Sequence, residues 1–406
     1  MNTTQLARVA FGYPAIDNHA HPLLKSQHRN QFPFEGLISE ASGAALTEDA
    51  VNTLACYRAT KQLCKLYRLS VEPSWQAVKH ARMAVDYNML CRVCMEPTKI
   101  QCLLLDDGLG GVEQYAEDYQ WHDRFTYSPT KRIVRIEVVA EKILSGLMDE
   151  LIERSAVEAV VLLNAFFEKF TASLKQSGED PEVVGFKSIA CYRTGLDIDH
   201  WPPDKDTIEI RRSLTRMVLK YTITRTLRLA DKVVNDFIVN IALRIAGECG
   251  KPIQFHTGLG DNDIDLSRSS PAHMQPIIKA YPDTKFILLH SSYPFTREAG
   301  YLTAVYPNVF LDFGEVFPCL MVIGGPNHFI LERFKEGRRY TTSVTALSAL
   351  TKLAYLLHAV FQVLSAVVTA SDMTEAQAIQ VVKGALFDNA NRIYNLKLRP
   401  QWTGTA

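Results

Sequence analysis

The sequence predicts a (β/α)₈ TIM barrel, and three observations support this fold class. Several short segments are apolar throughout, as expected for strands of a parallel sheet that is covered on both faces. These segments alternate with longer segments of helical periodicity, which is typical of repeated βα units. Two of the apolar segments end on histidine, at His256 and His290, and catalytic residues of such barrels lie at the carboxyl ends of strands.

Composition sets the broad class of protein. The chain has 406 residues, of which 47% are hydrophobic and 22% are charged, and this balance is typical of a globular protein. The length suits one barrel with insertions, or two to three small domains. A formal net charge of +0 gives no support for binding nucleic acid or a membrane surface. The first twenty residues lack the pattern of a secretory signal, and the scattered cysteines fit a reducing compartment, so we expect a cytoplasmic protein.

The predicted elements follow one another in chain order. A first strand is predicted at residues 9–17, and it is followed by a helical insertion at 25–95. Within this insertion, Thr47 is predicted to cap a helix that ends at Leu66, and a second helix is predicted from Trp75 to Arg92. The remaining strands are predicted at 101–106, 132–137, 183–189, 252–256, 286–290, 309–313 and, with a poor pattern, 338–343.

Helices are predicted between these strands, at residues 138–153, 155–177 and about 229–249. The apolar stretch from Leu353 to Val368 is too short and too polar to span a bilayer, so it predicts a buried helix. We expect a single barrel domain over residues 1–396 and a loose tail at 397–406, which contains proline and glycine.

Histidines at strand ends indicate a metal site. His19 and His21 are two residues apart, and side chains at this spacing in a strand point to the same face, as two ligands of one metal require. His256 and His290 end later strands, and the carboxyl ends of parallel strands lie at one edge of the sheet. Lys187 lies inside an apolar strand, where a lysine is costly unless it is paired, coordinated or modified.

With these residues, the chain resembles the amidohydrolase superfamily. It is most similar to the amidohydrolase-related branch that forms the N-terminal half of fungal FluG-type and plant nodulin-like proteins, ahead of a glutamine-synthetase-like domain. The matching stretches are IDNHAHPLL (16–24), VVGFKSIACYRTGLDI (183–198), QFHTGLGDNDIDL (254–266), LLHSSYPF (288–295), YPNVFLDFGEV (306–316) and DMTEAQAIQVVKGALFDNANRIYNL (372–396).

The resemblance implies a metal centre with a defined set of ligands. It assigns His19, His21, His256 and His290 to one or two divalent ions, with Zn²⁺ expected first and Mn²⁺ or Fe²⁺ as alternatives. Lys187 matches a strand-4 lysine that some members carbamylate to bridge two metals. The alternative is an unmodified lysine that binds a substrate carboxylate or pairs with an acid. A homodimer is a further expectation from the family.

One part of the family pattern is missing. The superfamily has an aspartate at the end of strand 8, which binds metal and acts as the general base. Here Ser343 occupies that place, and no aspartate lies between Asp312 and Asp372. A serine is not a base near neutral pH, and the loss of a positioned base costs on the order of 10²–10⁴ in rate.

Three interpretations of function remain open. The first is a metal-dependent hydrolase of amidohydrolase type, with γ-glutamyl or related amides as the ancestral substrate class and Glu315 or a carbamylated Lys187 as the base. The second is a metal enzyme repurposed as a lyase, cyclase or decarboxylase in fungal specialised metabolism. The third is a non-catalytic signalling or scaffold protein, which an empty metal site would indicate.

The candidate catalytic residues are therefore Lys187, His290, Glu315 and Ser343. Candidate substrate-binding residues flank two of the predicted ligands. Gly258, Gly260 and Asp261 follow His256 and are predicted to shape a substrate loop, whereas Tyr192 and Arg193 follow Lys187 and are placed to bind a carboxylate. The alternative for these residues is loop structure and surface pairing. The expected partner is a small-molecule substrate.

Overall fold

Eight strands in chain order form one sheet of the computed structural model. The structure describes residues 4–106, 108–153, 159–202, 207–314, 340–341 and 349–402. The pairings β1–β2, β3–β4, β4–β5, β5–β6 and β7–β8 are all parallel. The strands are β1 (Ala15–Ala20), β2 (Ile100–Asp106), β3 (Lys131–Arg135), β4 (Val183–Ser188), β5 (Ile253–Phe255), β6 (Phe286–Leu288), β7 (Val309–Asp312) and β8 (Tyr340–Thr341).

Helices separate the strands, and this alternation with parallel pairing confirms the predicted fold class. The α-helices are α1 (Thr4–Gly12), α2 (Leu54–Leu66), α3 (Trp75–Ala84), α4 (Tyr87–Met95), α5 (Ile136–Glu153), α6 (Ala159–Glu179), α7 (Ile208–Thr224), α8 (Lys232–Cys249), α9 (Gln275–Ala280), α10 (Thr296–Val305), α11 (Ala349–Thr369), α12 (Glu375–Lys383) and α13 (Asn389–Ile393).

The chain divides into two compact units. The first unit comprises residues 1–131, 259–263 and 311–406, and the second unit comprises residues 132–258 and 264–310. The first unit holds β1, β2 and β8 with α1–α4 and α11–α13, whereas the second holds β3–β6 with α5–α10. The expectation of a single domain over residues 1–396 stays a prediction.

The start of the first predicted strand is wrong. Val9 and Ala10 belong to α1, and β1 begins only at Ala15. Leu6, Val9 and Ala10 are buried, which gives the i, i+3, i+4 stripe of a helix. A three-residue apolar run fits a strand and a helix equally well, so the sequence alone could not decide between them.

The insertion after β1 is helical as predicted, but its helices begin elsewhere. Thr53, rather than Thr47, caps α2, because its side chain accepts a hydrogen bond from the backbone N–H of Cys56 at 3.2 Å. The helix predicted from Trp75 to Arg92 is two helices. Val85 and Asp86 are extended between them, and the Asp86 carboxylate caps α4.

One helix of the second unit differs from the prediction. Helix α7 was not predicted, although Ile210, Leu214, Val218 and Tyr221 give it a buried stripe. Its remaining residues are mostly polar or charged, which obscured the periodicity. The predicted helices at 138–153, 155–177 and 229–249 correspond to α5, α6 and α8.

The C-terminal segment is not loose over residues 398–401. Gln101 is 1% exposed, and its side chain donates to the carbonyl of Arg399 at 2.9 Å and accepts from the backbone N–H of Gln401 at 2.8 Å. The Asn391 side chain makes two further bonds with the backbone of Leu398. A buried amide therefore fixes this segment against β2.

Helix α11 contains the predicted buried helix. Val360, Leu364 and Val368 are buried at intervals of four residues, so one face of the helix packs inward. Within the described part of the chain, no helix combines the length and apolarity that crossing a membrane requires.

We predict that Asp236 makes the stability of the chain depend on pH. This carboxylate is 1% exposed in α8 and accepts hydrogen bonds from Lys232 and from the backbone N–H of Asp199. Burial raises the pKa of Asp236 to about 6. Because the raised pKa means that folding favours the protonated form, its stabilising effect is complete below about pH 4 and is lost as the pH rises through 6.

Asp236→Asn stays uncharged, so its free energy of unfolding should improve relative to that of the native chain between pH 4 and pH 7. Urea denaturation at intervals across this range measures the difference. Asp197→Asn, at an exposed aspartate, is the control and should leave the pH dependence unchanged. Parallel stability curves for the native chain and Asp236→Asn would contradict the prediction.

Candidate functional site

The predicted metal ligands belong to both units. His19 and His21 lie in the first unit, and Lys187, His256 and His290 lie in the second. Two predicted catalytic residues, Glu315 and Ser343, lie outside the described residues. Their roles stay predictions.

His19 and His21 lie side by side at the carboxyl end of β1. Their ring centroids are 5.1 Å apart, and the ring planes meet at 75°. His21 Nδ1 lies 3.2 Å from the carbonyl oxygen of Asp106. A carbonyl oxygen only accepts hydrogen bonds, so Nδ1 is the donor, and in the neutral ring this leaves the lone pair on Nε2. This orientation by a backbone carbonyl is typical of a metal-binding histidine.

His256 and His290 also lie side by side, in the second unit. His256 directly follows β5, and His290 is the second residue after β6. Both are buried, and Nδ1 of His256 lies 3.2 Å from Nε2 of His290. Two nitrogen ligands of one Zn²⁺ ion are separated by about 2.9–3.4 Å, given bonds of about 2.0–2.1 Å and angles between octahedral and tetrahedral values.

The His256–His290 pair therefore fits a shared metal ion, although a hydrogen bond between the two rings has the same nitrogen separation. Among the described residues, no three histidine, cysteine, aspartate or glutamate side chains form a group that would hold a metal ion. The structure thus shows one pair of histidines within each unit, and the complete predicted ligand set stays a prediction.

Lys187 lies near the end of β4 and is only 2% exposed. Its neighbours in the sheet register are Arg135 of β3 and Gln254 of β5. A buried lysine at this place agrees with the prediction that it is paired or modified, because burial of an isolated ammonium group is costly. Carbamylation of Lys187 stays a prediction.

The two predicted carboxylate-binding residues have different surroundings. The ring of Tyr192 lies 4.4 Å from the ring of His256, centroid to centroid, so it borders the histidine pair. Arg193 instead forms an ion pair with Glu141, with its guanidinium 3.5 Å from the carboxylate. The contact of Arg193 matches the alternative of pairing within the protein.

Gly258 allows close contact between the segment that follows His256 and the segment that follows His290. Its φ is +74°, and a Cβ atom at this position would lie 2.2 Å from the carbonyl oxygen of Tyr293. The Thr257 hydroxyl donates to the carbonyl of Leu289 at 2.6 Å and lies 2.7 Å from the Ser292 hydroxyl. Only glycine therefore allows this approach.

Asp261 is exposed in the first unit, where its carboxylate accepts the N–H of Asp263 at 2.9 Å.

The turn that carries His290 has an unusual backbone. His290, Ser291 and Ser292 have φ values of 61°, 48° and 52°, although none is glycine. The left-handed conformation costs such residues roughly 1–2 kcal/mol each. Hydrogen bonds from Ser292 N–H to Leu289 and from Tyr293 N–H to His290 close the turn. Strain of this kind clusters at functional sites, which favours a functional role for this turn.

Glu137 was missed by the sequence analysis, although it lies next to the predicted site. Its side chain is fully buried at the start of α5, and Oε1 accepts from the Ser188 hydroxyl at 2.6 Å and from the Ile189 N–H at 3.0 Å. Burial raises the pKa of the Glu137 carboxyl. The carboxyl group therefore fixes the chain immediately after Lys187. The only sequence signal was an acid at the end of the strand predicted at 132–137, next to a predicted helix, and acids are common at helix starts.

Three further buried carboxylates lie in strands: Asp17 is inside β1, whereas Asp106 and Asp312 are the last residues of β2 and β7. Each accepts the backbone N–H two residues onward, from His19, Gly108 and Gly314 respectively. The contacts of Asp106 and Asp312 are typical of Asx turns, which shape the chain where it leaves a strand.

The fold and the histidine pairs describe a TIM-barrel protein with ligand-like side chains at its strand ends. The amidohydrolase family model matches residues 157–343 of this chain. The chain is also 42% identical over 412 residues to Protein fluG of Emericella nidulans, an alignment that covers 96% of this chain and 46% of that protein. The predicted resemblance to the amidohydrolase family and to FluG-type proteins is thereby confirmed. The chain spans about half the length of this curated relative.

Solved structures support the fold. A candidate metal-dependent hydrolase from Lactobacillus casei has a TM-score of 0.75 at 22% identity, covering 97% of this chain and 99% of that chain. A uronate isomerase from Bacillus halodurans has a TM-score of 0.60 at 11% identity, covering 97% and 96%. A uronate isomerase from Thermotoga maritima has a TM-score of 0.59 at 11% identity, covering 97% of each chain. At these identities, the likeness concerns the fold alone.

We predict that Glu137→Ala destabilises the protein by about 2–4 kcal/mol, because it leaves a buried hydroxyl and a buried N–H without their acceptor and opens a cavity. Glu137→Gln keeps an acceptor oxygen and should cost less. Urea denaturation measures both free energies of unfolding. Glu168→Ala, at an exposed position on α6, is the control. Equal costs for the alanine and glutamine variants would show that the two hydrogen bonds contribute little.

We predict that a side chain at position 258 destabilises the protein by steric collision. Gly258→Ala should lower the free energy of unfolding by about 2 kcal/mol more than Gly250→Ala does. Gly250 has a similar φ of +69° but nothing within 4 Å of its Cβ position, so the comparison isolates the collision with Tyr293. Equal losses of stability in urea denaturation would exclude close packing as the reason for glycine at position 258.

Proposed function

We propose that this chain is a metal-dependent enzyme of amidohydrolase type, acting as a hydrolase on γ-glutamyl or related amides. The observation that carries the proposal is the 3.2 Å separation between ring nitrogens of His256 and His290, which fits two ligands of one ion. The family match and the relation to Protein fluG agree with it.

The residues that would hold the metal are His19, His21, His256 and His290, as the family resemblance implies. A bound Zn²⁺, or Mn²⁺ or Fe²⁺ in its place, polarises a substrate carbonyl and lowers the pKa of bound water. The hydrogen bond from His21 to the Asp106 carbonyl presents Nε2 as the ligand atom. The short Thr257 contacts and the closed turn at 290–292 hold the other pair of rings in place.

Other residues would bind the substrate or act as the general base. Tyr192, whose ring borders His256, is placed to contact a substrate beside the histidines. Lys187 would either be carbamylated or bind a substrate carboxylate, and Glu137 would position it by fixing the next two residues. Glu315 or a carbamylated Lys187 would serve as the general base, since Ser343 stands where the family has aspartate.

The serine at position 343 favours a second proposal. Without the aspartate base, a reaction that does not need an activated water is a natural alternative, such as that of a lyase, cyclase or decarboxylase in specialised metabolism. A cytoplasmic location and a homodimer remain proposals that follow from the cysteine pattern and from the family.

Elemental analysis of the purified chain tests the metal site. We expect at least one equivalent of metal in the native protein. Two double variants, His19→Ala/His21→Ala and His256→Ala/His290→Ala, should each lose it, because each removes two ligands. His80→Ala/His273→Ala removes two exposed histidines and should retain the metal. Circular dichroism confirms that the variants are folded.

The metal-loaded chain is then assayed for release of amine from γ-glutamyl amides and of carbon dioxide from carboxylated aromatic compounds. Amine release supports the hydrolase, and carbon dioxide release supports the alternative. A native protein that was never exposed to chelators, contains no metal and takes up neither Zn²⁺ nor Mn²⁺ would contradict both proposals and favour a non-catalytic role.

A further inference from the structure

A groove of about 840 Å³ lies at the amino-terminal ends of β1 and β2, within the first unit. Pro14 and Lys99, which directly precede these strands, both line it. The histidines of β1 lie at the opposite end of the strand, about 15–20 Å away by the rise of an extended chain. The volume is within the range of small-molecule sites. The groove is therefore separate from His19 and His21, the proposed metal ligands of this unit.

The C-terminal segment that ends at Trp402 forms one wall of the groove. The buried side chain of Gln101 makes two hydrogen bonds to the segment before Trp402, at Arg399 and Gln401. The indole of Trp402 then packs edge-on against Tyr13, with centroids 5.5 Å apart, and Lys383 lies over it at 5.4 Å. The backbone before Trp402 is therefore anchored by hydrogen bonds, and the indole ring is held by its contacts with Tyr13 and Lys383.

Gly12 leaves an open space between two hydrogen-bond donors. A Cβ atom at Gly12 would lie 3.6 Å from Nε1 of Trp402 and 3.8 Å from Nζ of Lys99. The backbone carbonyl of Lys99 accepts from the N–H of Ala15 at 3.1 Å, which fixes the base of the lysine side chain. The indole nitrogen and the ammonium group therefore both lie beside Gly12, which leaves room for an anionic oxygen between the two donors.

The charge of the groove has one sign. Arg8 and Lys99 line it, and no aspartate or glutamate does so among the described residues. Within the same part of the chain, neither cation forms an ion pair and the Trp402 Nε1 has no acceptor. Three donors that have no acceptor among the described residues are suited to a phosphate group, which offers several oxygens to arginine, lysine and N–H donors.

Aromatic surface accompanies these donors. Tyr127 is 69% exposed and Phe11 is 43% exposed, and both line the groove. Exposed aromatic rings beside cationic donors are suited to a planar ring that carries the anion, because rings stack on one another and their burial is favourable. The volume, the donors and the rings together set the size and chemistry of the ligand.

We propose that this groove binds a phosphate-bearing planar ring compound of mononucleotide size. The phosphate accepts hydrogen bonds from Lys99, Trp402 and Arg8, and the ring packs on Tyr127.

Isothermal titration of the full chain with AMP, adenosine and inorganic phosphate tests the proposal. We expect AMP to bind with a stoichiometry of one and at least about 10-fold more tightly than adenosine or inorganic phosphate, because only AMP uses both the donors and the rings. Lys99→Met and Arg8→Met should each weaken AMP binding about 10-fold or more. Trp402→Phe keeps a ring and removes the N–H, so it should also weaken binding.

Gly12→Ala tests whether the space between Trp402 and Lys99 is needed for binding. Its new methyl group meets the protein only at ordinary contact distances, so the fold is retained, but it occupies the space between the two donors. AMP binding should fall about 10-fold while the free energy of unfolding is unchanged or improved, because alanine favours a helix. Gly146→Ala, in α5 with nothing within 4 Å of its Cβ position, is the matched control and should bind AMP normally.

Lys61→Met removes an exposed lysine of α2 outside the groove and controls for general loss of charge. Absence of AMP binding at millimolar concentration would overturn the proposal. It would also be overturned by equal affinity for AMP and adenosine, by equal affinity for AMP and inorganic phosphate, or by unchanged binding in Lys99→Met and Gly12→Ala.

Discussion

Parallel strand pairing is the constraint on which the rest of this structure depends. Parallel neighbours cannot be joined by a tight turn, so each pair of strands needs a crossover long enough to return the chain to the same edge. The crossovers are helices such as α5 and α6 between β3 and β4, and their packing covers the sheet. All residues of β1, β2 and β4 are consequently buried. This burial explains why most residues of β2 and β4 are apolar.

The strand ends then need partners for their buried polar groups. Asp17, Asp106 and Asp312 accept backbone N–H groups two residues onward, so one oxygen of each carboxylate has a local donor. Glu137 instead reaches from the end of β3 to the end of β4, where it bonds Ser188 and Ile189. The first group shapes single turns, whereas Glu137 links two neighbouring strands. A carboxylate of the second kind is suited to hold Lys187 in a defined position.

The two histidine pairs show different ways of orienting imidazole rings. His21 is oriented by one hydrogen bond to a backbone carbonyl. His256 and His290 are held by the packing of the segments that follow them. In these segments Gly258 packs against the carbonyl of Tyr293, and the Thr257 hydroxyl donates a hydrogen bond to the carbonyl of Leu289. The left-handed turn at 290–292 has an energetic cost that folding alone would not select. This cost supports the proposal that the second pair of histidines has a function, because backbone strain clusters at functional sites.

The sequence by itself determined the fold class, most strand positions and the pairing of His19 with His21, because these follow from the local periods of strands and helices. The same local reasoning could not place Val9 in a helix, find Thr53 as a cap or separate α3 from α4, since competing local patterns fit equally well. Only the tertiary structure brought Glu137 to Ser188, Tyr192 to His256 and Gln101 to the C-terminal segment. These contacts join residues that are 51, 64 and 300 positions apart. Such contacts depend on how strands and helices pack, which no local pattern encodes.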